Sequence, residues 1–301
     1  MRVYATCFGR ILMKTLSTFS IVAADPPANE VGVAVQSKFL AAGALVSWAH
    51  SGVGAVATQA LAEVTYGPRG LELLATGLEP EAVLRELLAT DRLAHRRQIG
   101  VVAADGRSAS HTGGGCQPEA TSLTGFGYAV QGNLLASAIV VDSMVAAFES
   151  TADRPLADRF IAALRAGQRA GGDRRGQESA ALLVVKPGAG YGGTHDRYID
   201  LRVDHHPEPI EELARLYELH RLYFVRPGEQ EFVTVDERLE REIRQLLRKL
   251  GRLRPSRDLW DDLFDYMGWE NLEERWGGPG RIDSIVLSHI RSAVYDRPGL
   301  E

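Results

Sequence analysis

The chain has 301 residues, of which 45% are hydrophobic and 24% are charged, with a formal net charge of −5. This composition is typical of a folded globular protein, and the acidic balance gives no general electrostatic reason to bind nucleic acid or an anionic membrane. Two cysteines, Cys7 and Cys116, exclude a disulfide framework, and no Cys/His spacing indicates zinc, so we expect no metal and no cofactor.

Residues 1–16 carry only short apolar pieces, which Arg10 and Lys14 interrupt. This pattern, with no small-residue cleavage site, does not predict a secretory signal. No apolar run approaches the ~20 residues that span a bilayer. We therefore expect a disordered leader or an over-extended start, with Met13 as the alternative start, and a cytoplasmic location.

The first half of the chain alternates between strand and helix patterns. Two β-favouring runs, STFSIVAAD and EVGVAVQSKF, flank PPAN and predict a hairpin. The next run, GALVSWAHSGVGAVATQA, has no polar face and predicts buried strand. The segments YGPRGLELLATG and EPEAVLRELLATD place their leucines at helical spacing and predict two amphipathic helices.

The second half repeats this blocked order. Asp105-Gly106 within RRQIGVVAADGRSASHTGGG is a hairpin signal, and TGFGYAVQGNLLA predicts another strand. The segments SAIVVDSMVAAFEST and PLADRFIAALRAGQRA predict helices, ESAALLVVKPG and YIDLRVDHH predict strands, and PIEELARLYELHRLYF predicts a closing helix. Blocks of strands and helices favour antiparallel sheets, so we expect an α+β fold with two packed sheets and helices on both outer faces.

A composition shift marks a second region. Residues 225–231, VRPGEQE, predict a linker, and three helical patterns follow it, beginning with DERLEREIRQLLRKLG. Trp260, Trp269 and Trp276 lie in this region. Tryptophans at helical spacing are typical of a small helical core, and the alternative is stacking on sugar rings.

The quoted segments, together with HTGGGC, QGNLL and AGGDRRGQESAALLVV, resemble a bacterial family catalogued as domain of unknown function 1028. The likeness runs from about Thr18 to Leu216. That family is grouped with the N-terminal-nucleophile hydrolases, so the resemblance implies a four-layer αββα sandwich over residues 17–224. The segment GWENLEERW is similar to a peptidoglycan-binding module, which implies a small all-α module over residues 231–301.

The resemblance implies catalysis by one residue at the start of a strand. In such hydrolases a Thr, Ser or Cys attacks a carbonyl carbon while its own free α-amine takes the proton. Thr18 matches by position, and the 17 residues before it must then be removed. Ser17 is a rival if translation starts at codon 16, and Ser20 is a rival after a different cut. The alternative is that Thr18 is an ordinary β-favouring residue.

The other candidate residues lie at strand ends. We expect Ser37, Lys38 and Asn133 to assist catalysis. The lysine would lower the pKa of a neighbouring group or hold a substrate carboxylate, and the asparagine would help to bind an oxyanion. His111, Asp173 and Arg175 are the candidate substrate-binding residues, since arginine pairs readily with carboxylates. Each candidate also has a purely structural interpretation as a turn, cap or solvated pair. His205 and His206 suggest a metal, but no third ligand has suitable spacing.

Two functions are consistent with these patterns. The first is an amide hydrolase acting on a small molecule or peptide, with Thr18 as the nucleophile. The alternative is a non-catalytic binding protein on the same scaffold, because a fold does not determine function. Residues 231–301 then contact peptidoglycan or mediate self-association, and we expect a homo-oligomer.

Overall fold

The structure is a computed structural model that describes residues 18–225, 228 and 231–295. The predicted leader at residues 1–16, the alternative start at Met13 and the rival nucleophile Ser17 lie outside the described residues, as does most of the predicted linker. The chain divides into two compact units between Leu216 and Tyr217.

Helices and strands follow one another in the blocked order that the sequence predicts. In the first unit they are β1 (Thr18–Asp25), β2 (Glu30–Ser37), α1 (Gly43–Val46), β3 (Ser47–His50), β4 (Gly54–Ala60), α2 (Tyr66–Ala75), α3 (Pro80–Leu88), β5 (Arg97–Ala103), β6 (Ser108–Thr112), β7 (Thr121–Gly125), β8 (Tyr128–Gly132), α4 (Ile139–Glu149), α5 (Leu156–Arg169), β9 (Ser179–Val185), β10 (Arg197–Val203) and α6 (Pro209–Phe224), which continues into the second unit.

Two antiparallel sheets form the centre of the first unit. One has six strands in the order β10-β9-β2-β1-β8-β7, and the other has four in the order β3-β4-β5-β6. The sheets pack face to face, since β1 contacts β4 and β5, and β2 contacts β4. Helices α4 and α5 cover the outer face of the larger sheet, and α2 and α3 cover that of the smaller sheet. The described residues of this unit therefore form helix, sheet, sheet and helix layers.

The alternation of side chains along each strand explains which residues fill the space between the two sheets. In β2, Val31, Val33 and Val35 all belong to the apolar cluster between the sheets. In β1, Val22 and Ala24 belong to the same cluster. Because side chains alternate between faces, Thr18 and Ser20 point to this side as well. The start of β1 therefore carries polar side chains where the rest of the strand carries apolar ones.

The structure differs from the predicted elements in two strands. The run over residues 43–60 is a short helix and a hairpin, because Gly52 takes a left-handed conformation (φ +70°) that turns the chain between β3 and β4. The TGFGYAVQ segment is also a hairpin, with Gly127 (φ +86°) between β7 and β8. Each turn divides an apolar run that the sequence periodicity predicts to be one continuous strand.

The second unit is mainly helical and contains β11 (Phe232–Thr234), α7 (Glu237–Lys249), α8 (Leu259–Trp269), β12 (Arg281–Asp283) and α9 (Ser284–Tyr295). The three helices close around an apolar cluster that includes Ile243, Leu263 and Ile290. Strands β11 and β12 pair antiparallel, which the expectation of an all-α module did not include. Three-residue strands carry too little periodicity to be recognised from sequence.

Among the described residues, no helix combines the length and the apolar character needed to cross a membrane.

Candidate active site

Four chain segments meet at one edge of the six-stranded sheet. Strand β1 begins there, β2 and β8 end there, and β9 begins there, because each neighbouring pair is antiparallel. Thr18 pairs directly with Ser37 in the β1–β2 register, and Asn133 follows the end of β8. The loop between α5 and β9 brings Asp173 and Arg175 to the same edge, where Leu135 pairs with Asp173.

Thr18 is fully buried, and its backbone and side chain are both held. Its hydroxyl donates to the Ser37 hydroxyl over 3.1 Å, and its carbonyl accepts hydrogen bonds from the Asn133 N–H at 3.0 Å and Gln59 Nε2 at 3.3 Å. Ser37 Oγ also accepts the Phe39 N–H at 3.0 Å. These contacts fix the position of the residue that opens β1.

Lys38 lies beside this position, but its amino group is bound elsewhere. Lys38 Nζ donates to the Glu178 carboxylate and to the Gln177 carbonyl, each over 3.0 Å. The hydrogen bond from Lys38, together with one involving His205, holds the pKa of the Glu178 carboxyl below its ordinary value. The lysine expected to act on Thr18 is therefore engaged in a solvent-facing cluster.

Asn133 occupies the expected place, but its backbone and side-chain nitrogens both donate to other groups of the protein. Its backbone N–H binds the Thr18 carbonyl, and its side-chain Nδ2 donates to Gln98 Oε1 over 3.0 Å. In this arrangement the backbone N–H of the asparagine positions the start of β1.

The Asp173 carboxylate is completely buried and organises the loop before β9. It accepts the N–H groups of Lys38 at 3.3 Å and Arg175 at 2.9 Å. The Arg175 guanidinium bonds both carboxylate oxygens, through Nε at 3.1 Å and Nη2 at 2.7 Å. About a third of the arginine side chain is exposed (35%), so the pair presents an oriented guanidinium at the edge of the site.

His111 does not join this group. It lies on β6, and its Nε2 is 3.0 Å from the Ala94 carbonyl. The neighbouring Thr112 accepts a hydrogen bond from Gln98 on the inner face of the sheet, so strand alternation places His111 on the face toward α3. This separates it from Thr18, which lies between the sheets.

His205, His206 and Cys116 are the remaining His and Cys candidates within the described residues. His205 bonds the Glu178 carboxylate, and the His206 N–H donates to the Glu178 carbonyl. Within the described ranges no cluster of three metal-ligating side chains occurs. Cys116 is half-buried, and burial raises the pKa of its thiol above the ordinary value, which disfavours the reactive thiolate.

A buried amide network behind Thr18 was not predicted from the sequence. Gln59 Nε2 donates to Gln98 Oε1 over 2.8 Å, and the Ser20 hydroxyl donates to Gln59 Oε1 over 2.7 Å while it accepts from Gln131 Nε2 at 2.6 Å. Gln98 Nε2 also donates to the Gly132 carbonyl, and this hydrogen bond joins the two sheets. The sequence feature that could have indicated this network is one glutamine in each of three apolar strands, GAVATQA, RQIGVVA and YAVQG.

Gly100 makes room for this network. A Cβ at this position would lie 2.2 Å from Gln131 Oε1, closer than any real contact. The side chain of Gln131 therefore lies directly over the backbone of β5, and a larger residue at position 100 would displace it.

Tryptophans of the second unit fall into two environments. Trp260 and Trp276 pack against the apolar cluster of that unit, in agreement with the structural interpretation. Trp269 is exposed, and the Arg252 guanidinium lies 4.2 Å from its ring centroid. Trp269 is thus the most exposed of the three.

These features define a layered α/β protein with antiparallel sheets, a polar sheet edge around Thr18 and a mainly helical second unit. Residues 18–213 match the model of the "Family of unknown function (DUF1028)", and residues 223–290 match that of the "Putative peptidoglycan binding domain". The chain belongs to the DUF1028 family, as its sequence motifs predicted.

A solved structure supports this assignment. The crystal structure of a DUF1028 protein from Silicibacter pomeroyi is 30% identical in sequence and superposes with a TM-score of 0.62. The match covers 71% of this chain and 91% of that chain. No curated protein matches this chain.

Proposed function

We propose that the first unit is an amide hydrolase of the N-terminal-nucleophile type, with Thr18 as its nucleophile. The observation that carries the proposal is the placement of Thr18, which opens β1 between the two sheets with its hydroxyl 3.1 Å from Ser37 Oγ. The helix, sheet, sheet and helix order of layers agrees with a sandwich of that type.

The chemistry requires a free amino group on Thr18. While Ser17 is attached, the Thr18 nitrogen is an amide and cannot act as a base. After cleavage between these residues, the α-amine has an ordinary pKa of about 7.7–8.0 and is partly neutral near pH 8. We propose that removal of residues 1–17 generates the active form.

The reaction then proceeds in two steps. Thr18 Oγ bonds to the amide carbonyl carbon while its proton passes to the α-amine, and the C–N bond breaks as the leaving nitrogen takes that proton. Water next attacks the resulting ester, which releases the carboxylic acid and restores the threonine hydroxyl.

The surrounding residues have distinct proposed roles. Ser37 orients the Thr18 hydroxyl, and Asn133 and Gln59 hold its carbonyl. Arg175, fixed by buried Asp173, is suited to a carboxylate on the substrate, because a guanidinium binds carboxylates through paired hydrogen bonds. Lys38 has no direct proposed part in the attack, since Glu178 holds its amino group.

N-terminal sequencing and intact-mass measurement of the native protein test the processing step. We expect a species that begins at Thr18, and amide hydrolysis that rises as the pH increases through about 8, where the α-amine becomes neutral. The substrates are panels of N-acyl amino acids and short peptides with a free carboxylate.

Thr18→Ala should abolish hydrolysis, and Thr18→Ser should retain part of it because a hydroxyl remains. Thr124→Ala on the exposed edge strand β7 is the matched control and should leave activity unchanged. Full activity in a chain that retains residues 1–17, or in Thr18→Ala, would refute the mechanism.

A second candidate function is binding to peptidoglycan without catalysis by the first unit. The match of residues 223–290 to a peptidoglycan-binding domain favours it. Sedimentation of the full chain with purified peptidoglycan tests binding directly, and failure to sediment would eliminate it. Fractionation of cells under the same conditions tests the cytoplasmic location, which wall binding would contradict, and light scattering tests the predicted homo-oligomer.

A further inference from the structure

A pocket of about 390 Å³ lies between the end of α7 and one face of α8. Arg252 and Arg254 line it from the segment after α7. From α8 it is lined by Asp262, Asp265, Tyr266 and Trp269, whose spacing places all four on the same face of the helix. Of these four, Asp265 and Trp269 are exposed, whereas Asp262 and Tyr266 are buried.

Trp269 is the unusual member of this group. Its side chain is 67% exposed, whereas Trp260 and Trp276 of the same unit pack against the core. A large exposed aromatic beside a pocket is typical of a binding surface, because its apolar face gains most when a ligand covers it.

Most charged side chains in and beside the pocket are paired with one another. Arg254 binds buried Asp262, through its N–H and through Nε at 2.7 Å each, and it also contacts Asp265. Arg257 reaches Asp265 at 2.5 Å. The two carboxylates are therefore held by two arginines.

Arg252 is different. Within residues 18–225, 228 and 231–295 its guanidinium forms no ion pair, and it lies against the face of Trp269. An arginine stacked on an aromatic ring keeps its edge available for hydrogen bonds to a carboxylate. The pocket thus combines an exposed aromatic surface with one oriented cation that no carboxylate of the described residues neutralises.

We propose that this pocket is the ligand site of the second unit and that it binds a sugar ring bearing a nearby carboxylate. The exposed surface of Trp269 stacks on the ring, and Arg252 pairs with the carboxylate. Peptidoglycan meets both requirements through its amino sugars and the acidic peptides attached to them. The proposal rests on the second candidate function, that residues 223–290 bind peptidoglycan, and it is independent of Thr18 chemistry.

The test is sedimentation of the full chain with purified peptidoglycan, with chitin as a neutral amino-sugar polymer that lacks carboxylates. Trp269→Ala should weaken peptidoglycan binding about tenfold or more. Arg252→Gln should weaken it and also remove most of its salt dependence, since the lost contact is charged. Chitin should bind weakly and respond to Trp269→Ala but not to Arg252→Gln.

Matched controls exist in the same unit. Tyr295 is an equally exposed aromatic (68%), and the Lys249 amine lies 4.8 Å from its ring centroid, so the two form a similar pair of cation and aromatic ring outside the pocket. Tyr295→Ala and Arg238→Gln, both at exposed positions outside the pocket, should leave binding unchanged. Thermal unfolding of each variant verifies that the unit remains folded.

The outcomes distinguish failure of the proposed pocket from failure of peptidoglycan binding itself. Binding by the parent chain that survives both pocket variants would overturn this site while peptidoglycan binding itself stands. Equal losses in the pocket variants and in the controls would also overturn it. No sedimentation of the parent chain would refute peptidoglycan binding and, with it, the site.

Discussion

Gln98 is a single buried side chain that joins the two sheets of the first unit. Its Oε1 accepts from Gln59 and Asn133, and its Nε2 donates to Thr112 Oγ1 and the Gly132 carbonyl. Removing a buried amide that forms hydrogen bonds with groups of both sheets is costly, because its partners lose these hydrogen bonds and gain none to water.

Gln98→Ala should therefore lower the free energy of unfolding by about 3 kcal/mol, from the lost hydrogen bonds and the cavity left behind. Urea denaturation measures this change. The control is Gln245→Ala on an exposed position of α7, which should change stability by less than about 0.5 kcal/mol. Equal, small effects of both substitutions would contradict a structural role for the network.

At the scale of elements, a buried ionic cluster ties α2, α3 and β5 together. Asp91, just after α3, accepts hydrogen bonds from Arg97 Nε and the Tyr66 hydroxyl, each over 2.6 Å. Arg97 opens β5 and is almost fully buried. The hydrogen bond from Arg97 is the main cause that lowers the pKa of Asp91 to about 2.

Asp91→Asn should cost about 3 kcal/mol, because it leaves the Arg97 charge buried without its closest carboxylate. The folded pKa lies below the unfolded one, so the stabilisation by this carboxylate is present above about pH 4 and is lost as the pH falls toward 2. The stability difference between parent and variant should shrink over that window in urea titrations. Asp153→Asn, at an exposed position, is the control and should show no such trend.

At the scale of the whole molecule, the division between units falls inside α6. Arg275 holds the end of that helix within the second unit, where its Nε and Nη2 donate to the carbonyls of Leu222 and Arg221 at 2.7 and 2.9 Å. The same guanidinium binds buried Asp283 at 2.9 Å. One side chain thus joins α6, the segment after α8 and β12.

Arg275→Ala should destabilise the second unit by about 3–5 kcal/mol, because it leaves the buried Asp283 carboxylate without its arginine partner. Calorimetry of the full chain should then show a transition that moves to lower temperature and another that stays in place, as expected for two compact units. A single transition that shifts as a whole would contradict separate unfolding of the units.

By itself the sequence determined the helices, most strands and the family, because periodicity and motif spacing are local properties. It also placed Thr18, Ser37 and Asn133 at strand ends, which antiparallel pairing brings to one edge. Only the tertiary structure decided how those side chains are used. Long-range register and loop paths engaged Lys38 with Glu178, turned His111 to the outer face, assembled the buried glutamines and left Trp269 exposed. Such contacts join residues far apart in the chain, and no local pattern encodes them.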